Sequence, residues 1–597
     1  MNAKVKACAA AYAVAAGLGT AFAAGPVKPL TSVYNRNYRL LNGRWNYIVD
    51  QQLSGFRDYR CMELADGFFK DARQDGTTLV EYDFDKAPSM DVPGAWNCQV
   101  RELFYYEGAV WLRRVFDAKP DPDCRTILQF GAVNYEAHVY LNGQPLGSHV
   151  GGFTPFAFDV TDVLRNGRNS LVVLVDDSRR RDGVPADVFD WFNWGGITRD
   201  VMLVTVPDIY MSDAYIQTAK GDAGTLVGEV ELSEAKAGER VAIAIPELSV
   251  FDDAETDERG VARFSIRAEP ELWSPDSPRL YRVAFRHGDE KLEDDIGFRV
   301  VESVGRSILL NGDRIFLKGV CIHDEASGAK GRVKTQAEAD ELIARAKRLG
   351  CNFVRLAHYL HNEFTVRAAE RAGLLVWSET PTYWMIDWGN PATYENAKAQ
   401  MLDAIRRDRS RANVIIWSVA NETPRCPERD EFLRKLIAEV RRADDTRLVS
   451  LAMELSRVSG NTVSVHDNLA DAVDIVAFNE YIGWYRPMQE AAGTTWDIPY
   501  HKPVVVSEFG AGAKHGFYGD ANTRFSEDMQ AEVYRGNIPM IMGIKGISGM
   551  SPWVLSDFRS PRRNLDGVQD GFNRKGLTDE FGQEKRAFGV LRDFYAK

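Results

Sequence analysis

Two β-sandwich domains followed by a (β/α)₈ barrel are predicted from three observations. Up to about residue 302 the chain is a series of short strand patterns bounded by turn residues. Near residue 303 apolar runs begin to alternate with helical patterns. Eight such runs fall between residues 303 and 597, a count that suits a closed barrel better than an open doubly wound sheet. At 597 residues the chain is too long for one core, and roughly three to four domains are expected.

Residues 1–23 stand apart. Lys4 and Lys6 precede the apolar stretch AAAYAVAAGLGTAF, and Ala21-Phe22-Ala23 supplies an end that a signal peptidase accepts. The expectation is a cleaved secretory signal and an exported, periplasmic protein. A buried N-terminal helix is the poorer alternative, because the stretch is terminal and rich in Ala and Gly. No later stretch offers the roughly 20 apolar residues that a membrane span needs.

From 28 to 205 the strands GAVWLRRVF, TILQFGAV, AHVYLNGQPLGSHVGG and SLVVLVDD predict a jelly-roll sandwich, with LNGQ as a hairpin turn. From 206 to 302 a second set (TLVGEVEL, RVAIAIP, ARFSIRA, LYRVAFR) suits an immunoglobulin-like sandwich, and DDAETDERG reads as a turn-rich insertion. The barrel, 303–597, opens with RIFLKGVCIH, a helix over 335–349, CNFVRLAH, a helix over 363–372 and LLVWSET. VIIWSVANE, LVSLAME, DIVAFNEY, PVVVSEFG and IKGISGMSPWVL complete the eight. Thr335 and Glu338 form a capping box, and Gly350 stands at the C′ position of that helix.

The net charge is -12, and loss of Lys4 and Lys6 would take it to -14, which argues against a nucleic-acid partner. Of seven cysteines Cys8 lies in the signal, and the other six (Cys61, Cys98, Cys124, Cys321, Cys351, Cys426) show no CxxC or zinc spacing. Buried free thiols are expected. His323, His358 and His361 raise a metal alternative, but HxxH here falls at a strand end and no further ligand group has suitable spacing. No cofactor or metal is therefore expected. There is no GxSxG elbow and no Walker-type loop.

Chemistry in a barrel is done at the C-terminal strand ends. Glu422 ends the fourth apolar run and Glu508 the seventh, so 86 residues apart in sequence they would open onto one face. Two converging carboxyl groups are what acid–base cleavage of an acetal requires: one protonates the leaving oxygen, the other attacks carbon or activates water. Each Glu could instead cap a following helix. Two of them in this setting, near Trp377, Tyr481, Trp484, Tyr485 and Trp553, favour a sugar site.

Taken together, the motifs resemble glycoside hydrolase family two, and within it the β-glucuronidases. FNWGGITRDV (192–201) resembles the family signature of the N-terminal domain. WSVANE resembles its acid/base motif and SEFGA its nucleophile segment, which implies Glu422 as acid/base and Glu508 as nucleophile. FNEYIGWY implies Tyr481 beside the nucleophile and Tyr485 near the sugar; Arg355 and His358 of VRLAHY match the pair that orients the nucleophile and touches the sugar. In FNRKG, Asn573 and Lys575 match the N-x-K pair that binds a uronic acid carboxylate, a sound use of an ammonium and an amide. Asp190 of VFDWFNW matches the pocket aspartate of the N-terminal domain, and Trp553 and His323 are expected as further sugar contacts. Two departures stand out: Gln569 occupies the region where an Arg precedes N-x-K, and ETPTYWMIDWGN (379–390) has no clear likeness to the long loop of some gut enzymes.

The expected reaction is hydrolysis of terminal β-D-glucuronides with retention, through a covalent glycosyl-enzyme, with carboxyl groups about 5–5.5 Å apart; a gap nearer 8 Å would favour inversion. Asn421 is expected at the 2-hydroxyl. The partner is a β-glucuronide, glycan or small conjugate, and a homo-oligomer is allowed. The alternatives are a β-galacturonidase, a neutral-sugar β-galactosidase, or more distantly a non-catalytic glycan-binding protein.

Overall fold

The protein is described by a computed structural model covering residues 25–64, 82–459 and 461–597. The predicted signal, 1–23, lies outside the described residues. The chain builds a jelly-roll sandwich, an immunoglobulin-like sandwich and a barrel, in that order.

The jelly roll stacks a five-stranded sheet (Gly25–Val27, Phe156–Asp159, Cys124–Phe130, Val201–Pro207, Asn37–Leu40) on a six-stranded one. Val110, Leu112, Val139, Leu171 and Val173 of the larger sheet meet Leu128, Phe130 and Phe158 of the smaller in one core. LNGQ turns as expected: Leu141 pairs with Gln144, and Asn142 and Gly143 both have positive φ (55° and 81°). Those angles match a type I′ turn, whose twist suits a hairpin.

The second sandwich packs Met211–Ala219, Asp222–Leu232 and Val261–Arg267 against a four-stranded sheet. Strict alternation of exposed and buried residues in Val261–Arg267 is the period of a half-buried strand. DDAETDERG is not an insertion. Its first four residues complete the edge strand Val250–Glu255, and the chain turns only at 257–260. Acidic residues at a sheet edge discourage pairing with other chains, and that exposed charge hides the strand in the sequence.

In the barrel, the first strand, β1, runs in two pieces, Leu317–Lys318 and Cys321–Ile322. The others are β2 (Phe353–Leu356), β3 (Leu375–Glu379), β4 (Val414–Asn421), β5 (Leu448–Met453), β6 (Val476–Asn479), β7 (Val504–Glu508) and β8 (Ile547–Met550). The first piece of β1 pairs with β8 and the second with β2, so the parallel sheet closes on itself. Every residue of β4 is buried, because helices cover one side and the packed interior fills the other. Gln336–Arg348 begins in the predicted reciprocal capping box, and Gly350 follows it with φ +89°. Among the described residues no α-helix follows β5 or β6; three short strands (Arg457–Ser459, Thr462–Ser464, Thr495–Asp497) and a 3₁₀ turn stand there.

A β-meander over 301–315 and Trp273 pack against Leu317, Phe353, Leu375 and Trp377, closing the N-terminal end of the barrel. Only the opposite end is left for chemistry. The jelly roll reaches that end through 190–200. Phe192 N donates to Arg559 O (2.9 Å), Trp194 Nε1 to Glu325 Oε1 (3.0 Å) and Arg199 to Phe153 O and Leu360 O (2.6 Å each). The glycines of FNWGGITRDV have a steric cause: a Cβ on Gly195 would lie 2.1 Å from Trp96, and Gly196 has φ +133°.

The six described cysteines are free thiols, but only Cys321 and Cys351 are buried, contrary to the expectation that all would be. Cys426 instead caps a helix, its Sγ accepting from Arg429 N. Among the described residues no helix is long and apolar enough to cross a membrane.

Candidate active site

Parallel strands deliver their last side chains to one rim, and here those residues form a connected network. At its centre is Arg355 of β2, fully buried. Nη1 donates to Glu508 Oε1 (2.7 Å), and Nη2 donates to Asn421 Oδ1 (2.7 Å) and Glu379 Oε1 (3.0 Å). Burial works against the guanidinium charge, but Glu379 and then Glu508 outweigh it and hold the pKa well above the ordinary value.

Glu379, the last residue of β3, was missed in the sequence although it carries the same signal as Glu422 and Glu508, a carboxylate ending an apolar strand. It also accepts from Trp377 Nε1 (2.8 Å) and lies 2.7 Å from His358 Nδ1. Burial would raise its pKa, yet Arg355 and His358 hold it at about 2. Trp377 is core packing under this carboxylate rather than a sugar platform.

Glu422 follows β4 with φ +47°, a left-handed conformation that non-glycine residues seldom adopt outside functional sites. Asn479 Nδ2 donates to its Oε1 (2.9 Å) and Trp384 Nε1 to its Oε2 (2.9 Å). Burial, with a further contribution from Glu508, raises its pKa to about 7 despite those two donors. Glu508 accepts from Arg355 and from Tyr481 Oη (2.6 Å), and His358 Nε2 lies 4.0 Å away. Burial and then Glu508 push the Tyr481 phenol well up, so it stays a donor. Asn479 ties the two carboxyl groups together: it holds Glu422, and its Oδ1 accepts from Ser507 Oγ (2.7 Å) beside Glu508.

The walls are aromatic. Trp553 stacks on His358 (4.8 Å between centroids, 23° between planes) and meets His323 edge-on at 5.1 Å. Among the buried side-chain atoms without a hydrogen-bond partner in the described residues are Asn421 Nδ2 and His323 Nε2. Unpartnered buried polar atoms are rare and call for a ligand or water. His361 differs from His358, its Nε2 lying 2.9 Å from Ala357 O.

Beyond this floor, Asp190 of the jelly roll meets the 556–580 segment. It accepts from Ser560 Oγ (2.6 Å), Arg563 Nε (3.2 Å) and Asn573 Nδ2 (3.4 Å). Lys575 is 4% exposed, and Tyr481, Trp484 and Tyr485 surround its ammonium at 5.1–5.5 Å. It donates to Tyr485 Oη (3.1 Å) and among the described residues has no carboxylate partner. Arg563, passed over in the sequence, stands beside Asn573, while Gln569 turns back to accept from Leu565 N. The signal for it is the double arginine of SPRRN, six residues before Gln569.

If Glu422 must be protonated to act, kcat/KM should fall as pH rises through about 7, because the acid form is present only below that value. A pH–rate profile that stays flat to pH 9 would contradict this.

A barrel rim holding one carboxyl group near neutrality beside a second held by arginine is equipped to break acetals, and the protein is a glycoside hydrolase. Comparison places it more narrowly. The model for the sugar binding domain of glycosyl hydrolases family 2 matches residues 38–207, and that for the family's TIM barrel domain matches 301–571. The chain belongs to glycosyl hydrolases family 2, and its similarity is to the β-glucuronidases. It is 26% identical over 554 residues to a β-glucuronidase of Paenibacillus borealis (84% of this chain, 90% of that one). The structure of Bifidobacterium dentium β-glucuronidase complexed with coumarin-3-O-glucuronide superposes with a TM-score of 0.80 at 25% identity, covering 95% and 98% of the two chains. A β-galacturonidase of Eisenbergiella tayi bound to galacturonate shares the fold, with a TM-score of 0.77 at 23% identity, covering 94% and 97%.

Proposed function

We propose that the protein is a retaining, exo-acting β-glucuronidase. The observation that carries this is Lys575, a buried ammonium in an aromatic cage with no carboxylate partner among the described residues. A lone buried charge is costly, and a uronate carboxylate on the substrate would offset that cost. Asn573 and Arg563 flank the same place. Exo action is the part of this reading that the family resemblance implies; the ion pair between Asp190 and Arg563 joins the jelly roll to the 556–580 segment beside Asn573.

In this reading Glu422 donates its proton to the glycosidic oxygen while Glu508 attacks the anomeric carbon from the opposite face, so the C–O bond to the aglycone breaks as the bond to the enzyme forms. Arg355 and Tyr481 hold the attacking carboxylate. Asn421 Nδ2 donates to the oxygen at C2, a hydrogen bond that strengthens as positive charge develops at C1. Glu422, now ionised, takes a proton from a water whose oxygen bonds to C1 as the C1–Glu508 bond breaks, which frees the sugar with its configuration retained and returns Glu508 to a carboxylate. His358, Trp553 and His323 line the sugar face and Tyr485 the rim. Under the same reading residues 1–23 are a cleaved signal and the enzyme works in the periplasm.

Comparing the 4-nitrophenyl β-D-glucuronide, β-D-galacturonide and β-D-galactoside tests the assignment. The glucuronide should be turned over fastest and the galactoside least. Faster cleavage of the galacturonide would move the assignment to the C4 epimer, and equal cleavage of the galactoside would remove the uronate altogether.

A further inference from the structure

The segment 379–390, which has no clear likeness to the long loop of some gut enzymes, places Trp384 against Glu422. Its backbone is left-handed (φ +55°), its N–H donates to Asn421 O (2.9 Å), and its indole Nε1 donates to Glu422 Oε2 (2.9 Å). A proton donor must touch the glycosidic oxygen, so the side chain touching that donor lies at the leaving group. Trp384 is not an open platform. Tyr383 stacks on it at 4.5 Å, and the guanidinium of Arg562 lies 5.1 Å from its ring centre. Arg562 is exposed and, among the described residues, forms no ion pair, whereas its neighbour Arg563 is committed to Asp190. A guanidinium resting on an indole keeps its N–H edges free, and those edges match the oxygens of a carboxylate or sulfate.

We propose that Trp384 and Arg562 form a leaving-group subsite that selects aglycones carrying an oxyanion close to the glycosidic bond, such as an acidic sugar or an acid-substituted phenol. The inference rests on the β-glucuronidase reading for the sugar side and adds the chemistry of the other side. Trp384 sets where the leaving group lies, and Arg562 supplies a charge beside it that no protein carboxylate claims among the described residues.

The test is kcat/KM for phenyl, carboxyphenyl and sulfophenyl β-D-glucuronides with the wild type and with Arg562→Gln, each substrate compared between the two proteins so that its own leaving-group ability cancels. The substitution should lower the two charged substrates about three- to fivefold relative to phenyl, the range of an exposed ion pair. The gap should shrink in 0.5 M salt, and Arg562→Glu should widen it. A drop confined to the carboxyphenyl or to the sulfophenyl compound names which oxyanion is read. Equal effects on all three substrates would overturn the proposal. Cleavage of none of them would instead overturn the glucuronide assignment, and the same aglycones on galacturonic acid would then decide between charge preference and none.

Discussion

Glu508→Gln is expected to lower kcat by roughly 10⁴-fold or more, the scale seen when a covalent nucleophile is removed. The fold should survive, because Arg355 keeps Glu379 and Asn421 as partners and an amide fills the same space. Circular dichroism and thermal unfolding check that condition. A smaller variant, Glu508→Gly, adds a diagnostic: azide should restore turnover and yield the α-glycosyl azide by attack from the vacated side. With Glu422→Gly the glycosyl-enzyme still forms, and azide should instead give the β product. Equal activity of Glu508→Gln and wild type would end the double-displacement reading.

Lys575→Met should have the second largest effect. Breaking a buried, hydrogen-bonded charge pair costs about 2–5 kcal/mol, which is roughly 30- to 4,000-fold in kcat/KM for the glucuronide. The neutral glucoside, which has no carboxylate to place, should be cleaved no worse by the variant and so gain in relative terms. Stability should move the other way. An apolar side chain of similar length among Tyr481, Trp484 and Tyr485 relieves the unliganded protein of an uncompensated charge. Its thermal midpoint should hold or rise. Loss of stability together with loss of activity would mark Lys575 as structural.

Much of this was legible in the sequence, for identifiable reasons. Barrel strands buried on both faces leave unbroken apolar runs, and a carboxylate at the end of such a run stands out; Glu422 and Glu508 were found that way. Glu379 bears the same mark but went unnoticed beside the stronger motifs. The edge strand at 250–255 was lost because exposed aspartates imitate a turn. Arg563 and Trp384 lie in segments with no period and no apolar contrast, where only the folded chain shows what they touch. The crossovers after β5 and β6 are equally opaque, since their short strands and 3₁₀ turn carry too little pattern to distinguish from loop.

Asp190 meets the 556–580 segment from the jelly roll, while Glu422 and Glu508 stand at the ends of barrel strands. Under the proposed reading recognition is shared between Asp190 and Lys575, 385 residues apart, and these bracket Glu422 and Glu508 in sequence. Under that reading, variation in the amino-terminal third reaches the pocket through Asp190 without touching the strands that carry Glu422 and Glu508, and such a scaffold can acquire new preferences through changes those strands never feel.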